Sequence, residues 1–225
     1  MGESILYAIP GSHAARTGQL MLEHKGVPFR RRELFPGPHR AIVRLLGFEG
    51  DRVPAVKFDD GARGQGTRGL ARTLDERIPD RRLVPDDPRF DEAERWGDDV
   101  LQQWARRAVV AGALTAPDQM SGRGNDGRLG PLLTKGPRMR RVVCRGVKQA
   151  FGMTREQWAE DDRLAAGHFD HVDALIAEGV LNGPELNAAD FQIASSLALA
   201  EYRLDLREQM RGRPLMQLLD RVLPA

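Results

Sequence analysis

Residues 53–67, with the sequence V-P-A-V-K-F-D-D-G-A-R-G-Q-G-T, contain two features that could bind a ligand. A proline at the start of a strand removes a backbone donor. If its peptide bond is cis, it also leaves the N–H and C=O of Val53 free to pair with a peptide-like ligand. Gly66 and Thr67 open a predicted helix, whose unpaired N–H groups and positive dipole end favour a carboxylate. An ordinary edge strand followed by an ordinary helix cap fits the same residues, so both interpretations stay open.

The elements around this stretch follow from apolar spacing and turn residues. The sequence predicts a strand over residues 3–8, a helix from His13 to residue 26, a second strand over 27–34 and a short helix over 39–46. Three consecutive arginines in the second strand indicate an edge position. A strand opening at Val53, another near residues 62–64 and a helix from Thr67 to Pro79 complete the order β-α-β-α-β-β-α.

The remainder of the chain has a different character. Residues 80–89 hold two prolines among charged residues, which is typical of a linker between domains. Beyond it the periodicity predicts only helices, over residues 90–113, 132–151, 154–178, 187–200 and 213–222. The helix that starts at Asn187 has the clearest signal, because Asp190 occupies the capping-box position. We therefore expect an α/β domain over residues 1–79, the linker over 80–89 and an all-helical domain over 90–225.

Composition narrows the function classes. The chain has 225 residues and a formal net charge of +2, the profile of a globular protein. No apolar run approaches the length that spans a bilayer, and no leader pattern opens the chain, so we expect a cytoplasmic protein without a membrane association. A single cysteine, Cys144, excludes a disulfide framework and a cysteine-rich metal site, so no metal is expected. We expect its side chain to be buried.

The order of elements resembles the cytosolic glutathione transferase family over nearly the whole length of the chain, and in particular its bacterial, serine-type classes. Four segments carry the resemblance: residues 7–16 (Y-A-I-P-G-S-H-A-A-R), residues 53–55 (V-P-A), Gly66-Thr67 followed by two helical leucines, and residues 186–190 (L-N-A-A-D). The resemblance implies a thioredoxin-like N-terminal domain that binds glutathione and an all-α C-terminal helical bundle that supplies the pocket for an electrophile.

In that family a hydroxyl holds the glutathione thiol deprotonated for attack on the electrophile. The resemblance makes Ser12 the candidate catalytic residue, because it follows the first strand as in the serine-type classes. Ser12 could equally cap the helix that follows, and one residue can do both. Tyr7, at the end of the strand, is the alternative, since other classes use a tyrosine there. We interpret His13 as a surface residue of the first helical turn.

The resemblance also assigns the binding residues. Val53, with Pro54, would meet the cysteinyl backbone of glutathione, and Thr67 with the Gly66 N–H would meet its γ-glutamyl carboxylate. His39 or Arg40 could meet the glycine carboxylate. The position before Thr67 is commonly acidic in the family but is Gly66 here, with Gln65 beside it as a further candidate binding residue. An acidic partner for the γ-glutamyl amine is therefore missing locally, which makes another low-molecular-weight thiol an alternative to glutathione.

Three functions compete at this point. The first is an enzyme that conjugates or reduces small-molecule electrophiles with a thiol, and the second is a protein of the same fold that binds without catalysis. The third, a nucleic-acid-associated regulator, is disfavoured because the basic segment 123–148 has no interleaved aromatic residues for base stacking. That segment and the acidic segment 86–99 suggest charge pairing across a dimer, and family members usually dimerise, so we expect a homodimer.

Overall fold

The computed structural model describes residues 2–35, 37–120, 129 and 136–224. Its first part contains four strands, β1 Ser4–Ala8, β2 Phe29–Glu33, β3 Ala55–Lys57 and β4 Arg63–Gln65. They form one sheet in the order β2-β1-β3-β4, in which β1 and β2 are parallel and the other two pairs antiparallel. The arginines of β2 are exposed at the edge of the sheet, as their charge predicts.

Helices cover both faces of this sheet. α1 (His13–His24) and α3 (Thr67–Arg77) lie on one face, and α2 (His39–Leu45) lies on the other. Side chains along β1 alternate between the two faces. Leu6 therefore joins the large core with α1 and α3, whereas Tyr7 joins a small core with Val43 of α2 and with Phe48.

The second part of the chain is helical, as the sequence predicts. Its α-helices are α4 Pro88–Trp96, α5 Gln102–Thr115, α6 Gly136–Ala150, α7 Arg155–Ala177, α8 Ala188–Ala200, α9 Leu204–Met210 and α10 Pro214–Val222. The apolar spacing does not predict α9, whose seven residues are too few for a periodic pattern. The predicted start of α6 at residue 132 lies outside the described residues.

The predicted helix over residues 90–113 is interrupted. A π-helical turn, Gly97–Leu101, separates α4 from α5. Such a turn holds an extra residue, so positions beyond it rotate relative to α-helical periodicity. Val100, which the apolar spacing places on the buried face of the predicted helix, lies within this turn and is 39% exposed. Trp104 remains in the core, and its indole N–H donates to the Asp161 carbonyl at 2.9 Å.

Helix α8 is the centre of the helical part, and all of its residues are buried. The predicted capping box is present: the Asn187 side chain accepts from the Asp190 N–H at 3.1 Å, and the Asp190 carboxylate accepts from the Asn187 N–H at 2.8 Å. Asp190 also accepts from the Asn182 N–H at 2.7 Å, which joins the preceding loop to the helix start. These local bonds fix where α8 begins.

The predicted linker is packed against both parts of the chain. Leu83 is fully buried, and its carbonyl accepts from the Ala188 N–H at the start of α8 at 2.8 Å. Nearby, the Glu94 carboxylate of α4 is buried and accepts from the guanidinium groups of Arg68 and Arg72 on α3 at 2.8–3.1 Å. These charge-assisted bonds hold the start of α3 against the helical part.

Candidate functional site

Three of the sequence-predicted segments, residues 7–16, 53–55 and 65–67, meet at one end of the sheet. In the register, Ala55 at the start of β3 pairs with Tyr7 near the end of β1 and with Gln65 at the end of β4. The chain leaving β1 leads to Ser12, and the chain leaving β4 leads to Thr67. Because these strand ends lie at the same end of the sheet, the starts of α1 and α3 lie on either side of the segment that enters β3.

Ser12 is the N-cap of α1. Its Oγ accepts from the Ala15 N–H at 3.2 Å, and its backbone N–H donates to the Ile9 carbonyl at 3.1 Å. A hydroxyl has one hydrogen to donate and two lone pairs, and the cap uses only a lone pair. The Ser12 hydroxyl therefore keeps its hydrogen for a ligand while it caps the helix.

Tyr7 is placed differently. It is only 3% exposed and packs edge-on against Phe48, with ring centroids 5.9 Å apart, in the small core beneath α2. Its ring therefore serves the core of the sheet. This location favours Ser12 over Tyr7 as the hydroxyl that meets a ligand.

The segment before β3 has the features expected of a backbone-pairing site. The Val53–Pro54 peptide bond is cis, and β3 begins two residues later than Val53. The backbone groups of Val53 make no hydrogen bond with another described residue. Pro54 is buried against Gly18 of α1, where an added Cβ would lie 2.7 Å from the Pro54 Cβ. Gly18 thus allows the close packing that seats this segment on α1.

Gln65, predicted as a ligand-binding residue, holds the loop before β3. Its Oε1 accepts from the Gly50 N–H at 2.8 Å, and its Nε2 donates to the Arg52 carbonyl at 3.0 Å. Both ends of the amide are therefore occupied within the chain. The role that the structure supports for Gln65 is to position the segment that carries Val53.

Unlike α1, helix α3 has no side-chain cap at its start. Gly66, the N-cap, has a φ of 68°, a left-handed conformation that favours glycine, and no side chain caps this helix. The Gly66 N–H donates to the Pro54 carbonyl at 2.8 Å, so it is not free for a carboxylate as the sequence suggested. Thr67 and the next N–H groups of the first turn supply the unpaired donors instead.

His39 and Arg40 lie at the start of α2, which follows β2 at the same edge. His39 is half-buried, and its Nδ1 accepts from the Gly37 N–H at 3.2 Å. Partial burial and the neighbouring charge of Arg40 lower the pKa of His39, while Asp51 acts in the opposite direction. Arg40 is exposed, so of these two residues it is the better placed to meet an anion from solvent.

The fold has clear counterparts among solved structures. The chain aligns over 99% of its length with glutathione transferase GSTFuA3 from Phanerochaete chrysosporium, covering 96% of that chain, with a TM-score of 0.69 and 18% identity. This similarity in both parts decides the architecture. The chain has the glutathione transferase fold. The predicted fold class, a thioredoxin-like part followed by a helical bundle, is thereby confirmed.

Two further structures with this fold contain ligands. A glutathione S-transferase from Methylobacterium radiotolerans, in complex with glutathione sulfonate, aligns with a TM-score of 0.62 and 17% identity, covering 98% of this chain and 90% of that one. One from Ceriporiopsis subvermispora, in complex with glutathione, aligns with a TM-score of 0.60 and 17% identity, covering 97% and 96%. No protein-family model and no curated protein sequence matches the chain.

His13, interpreted from the sequence as a surface residue, is buried. It is 4% exposed, lies beside Ser12 and is close to the start of α5, where the Gln102 backbone and the charge of Arg106 both act on its pKa. Burial and the charge of Arg106 lower its pKa to about 3, so the imidazole is neutral at pH 7. The sequence does not predict that His13 is buried near α5, because the apolar spacing does not reveal the π-helical turn that precedes Gln102.

We expect the stability of the protein to fall as the pH drops below 6.5, because His13 stays neutral in the folded state while it gains a proton in the unfolded state. The contribution of His13 is fully present above pH 6.5 and decreases towards pH 3, by at most about 1.4 kcal/mol per pH unit. Urea unfolding of wild type and His13→Gln between pH 7 and 4 tests this. The variant should show the shallower slope, and His171→Gln, at an exposed position, should match wild type. Equal slopes in all three proteins would contradict the assignment.

The described part of the chain contains no cluster of side chains suited to a metal ion. None of its helices is long and apolar enough to cross a membrane. Cys144 is buried, as the sequence predicts.

Proposed function

We propose that the chain is a glutathione S-transferase-like enzyme, which binds glutathione at this sheet edge and activates its thiol for attack on a small electrophile. The observation that carries the proposal is the convergence of three complementary groups: the Ser12 hydroxyl, the unpaired Val53 backbone and the open start of α3. Glutathione offers a thiol, a peptide backbone and a carboxylate, one for each. The glutathione complexes of the same fold support this pairing.

The chemistry needed is thiol deprotonation. A free thiol has a pKa near about 8.5, so only a few per cent is thiolate at pH 7. A hydrogen bond from the Ser12 hydroxyl to sulfur favours the thiolate, and the N-terminal end of α1 adds a positive partial charge. The neutral His13 beside it adds no competing charge.

The remaining residues take binding roles in this proposal. Val53 would exchange backbone hydrogen bonds with the cysteinyl residue, and Thr67 at the start of α3 would bind the γ-glutamyl carboxylate. Pro54 and Gln65 position these groups from within the chain, and Arg40, with His39, would meet the glycine carboxylate. Glu94 supports Thr67 indirectly, since it anchors the neighbouring Arg68.

Calorimetric titration with glutathione tests the binding site. Thr67→Ala should weaken binding about ten- to a hundredfold, because a hydrogen bond to a charged carboxylate contributes roughly 1.5–3 kcal/mol. Thr73→Ala is a matched control on the same helix, since the Thr73 hydroxyl donates to the Gly69 carbonyl and lies a turn and a half further along α3. We expect it to bind as wild type does.

The titration also separates the alternatives. Absence of binding at millimolar glutathione would exclude glutathione as co-substrate and leave a different low-molecular-weight thiol, which the missing acidic residue before Thr67 allows. Saturable binding without turnover of any electrophile would instead favour a non-catalytic binding protein. The homodimer stays a prediction, and sedimentation of the purified chain at micromolar concentration would test it.

A further inference from the structure

The guanidinium groups of the adjacent Arg106 and Arg107 have different partners among the described residues. The Arg106 Nη1 donates to the Gln103 amide oxygen at 2.6 Å, but no carboxylate of the described residues lies within ion-pair distance. The adjacent Arg107 instead forms two hydrogen bonds with the buried Asp161, at 2.6 and 2.8 Å. The half-buried Arg106 thus keeps a charge that is only partly compensated.

The two arginines also differ in their titration. Burial lowers the pKa of Arg106 to about 10, although Asp98 acts in the opposite direction. The bond to Asp161 raises the pKa of Arg107. Burying a charge is unfavourable unless an opposite charge or hydrogen bonds compensate. A bound anion would therefore stabilise the charged form of Arg106.

Arg106 lies near the site proposed for the thiol. It is one helical turn beyond Gln102 on α5, on the same face, and the Gln102 backbone acts on the pKa of His13, which lies beside Ser12. Its charge perturbs His13 on one side and interacts with Arg52, the residue before Val53, on the other. Arg106 therefore lies near both the start of α1 and the segment that carries Val53.

An aromatic surface adjoins this cation. The Arg106 Cζ lies 4.6 Å from the centroid of the Phe151 ring at the end of α6, and Phe151 is 49% exposed. A guanidinium stacked on a ring keeps its edge donors for hydrogen bonds. The pair offers a planar apolar face with forked N–H donors beside it, which matches an aromatic molecule that carries a carboxylate.

We propose that Arg106 selects electrophiles that carry an anionic group, and that an aromatic carboxylate is the class that fits Arg106 and Phe151 together. This inference rests on the proposed function, because it concerns the second substrate of the same site.

A pair of matched electrophiles tests the inference. One is a chloronitrobenzoate with the chloride ortho to the nitro group and para to the carboxylate, and the other is the uncharged chloronitrobenzamide. In both, the thiolate electron pair forms the C–S bond, chloride leaves with the electron pair of the C–Cl bond, and the thiol proton goes to solvent. The two reactions therefore form and break the same bonds and differ only in the charge of the electrophile.

Arg106→Gln should raise KM for the benzoate about ten- to a hundredfold, since a charge-assisted pair is lost, and leave KM for the benzamide within twofold. Arg106→Lys should restore part of the benzoate affinity. Arg163→Gln removes the same charge from an exposed position on α7 and should behave as wild type. Equal losses for both electrophiles, or a loss of glutathione affinity alone, would overturn the inference.

A second readout does not depend on turnover. Calorimetric titration with the benzoate in the absence of thiol should show binding to wild type that Arg106→Gln loses. If neither electrophile is conjugated and glutathione does not bind, the proposed function fails, and this titration still decides whether Arg106 binds aromatic carboxylates. No difference between the two proteins would refute the role of Arg106 by itself.

Discussion

Ser12→Ala is expected to lower kcat/KM for conjugation of glutathione with a reactive electrophile about 100- to 1000-fold, the usual loss when a donor to a developing or stabilised anion is removed. The Ser12 Oγ accepts from Ala15 and keeps its hydrogen, so the substitution removes both a helix cap and the proposed donor to sulfur. Steady-state kinetics at saturating and limiting glutathione measures the effect. Affinity for glutathione should change little, because Val53 and Thr67 supply most of the binding.

Two controls separate the chemistry from the cap. Loss of an N-cap costs about 1 kcal/mol of stability. Thr154→Ala removes an N-cap of the same kind from α7 and should reproduce that loss of stability without a loss of turnover. Ser12→Thr retains a hydroxyl and should recover much of the activity. If Ser12→Ala keeps wild-type kcat/KM, Ser12 is a cap only.

Asp75→Ala is expected to destabilise the protein by roughly 3–5 kcal/mol, because it leaves a buried ammonium without its counter-charge. The Lys25 side chain is fully buried, and its Nζ lies 2.6 Å from the Asp75 Oδ1. The same carboxylate accepts from the N–H groups of Leu83 and Val84 at 2.9 and 2.8 Å. The substitution therefore also leaves two backbone donors of the linker segment unpaired.

Thermal unfolding followed by circular dichroism tests the pair. For a chain of this size each kcal/mol shifts Tm by about 2–4 °C, so a fall of roughly 6–20 °C is expected. Glu160→Ala is the control, since the Glu160–Arg163 ion pair is exposed and should contribute less than about 1 kcal/mol. Similar Tm values for both variants would show that the buried pair does not anchor the linker.

The parts of the fold that the sequence predicts well depend on local chemistry. The capping box of α8 needs only Asn187 and Asp190, three residues apart, and the turn at Pro54 needs only its own ring. The exposed arginines of β2 similarly report an edge strand without knowledge of its neighbours. Each of these features depends on a few neighbouring residues, so the spacing of those residues in the sequence is sufficient to predict it.

The parts that the sequence does not predict depend on contacts between distant segments. His13 is buried near residues of α5, which begins about ninety residues further along the chain. The amide of Gln65 is occupied by the loop before β3, which its position beside Thr67 does not reveal. The π-helical turn arises in a stretch whose apolar spacing is continuous. The sequence therefore predicts which segments form the candidate site, but not which of its residues are placed to bind a ligand and which hold their neighbours in position.

The most direct test of the central claim is the ionisation of the bound thiol. Ultraviolet absorbance of the thiolate, recorded while the complex with glutathione is titrated from pH 5 to 10, gives the pKa of the bound sulfur. We predict a midpoint at least about one unit below that of the free thiol, which is near about 8.5, and its return towards that value in Ser12→Ala. A midpoint in the wild-type complex equal to that of free glutathione would contradict thiol activation by this site.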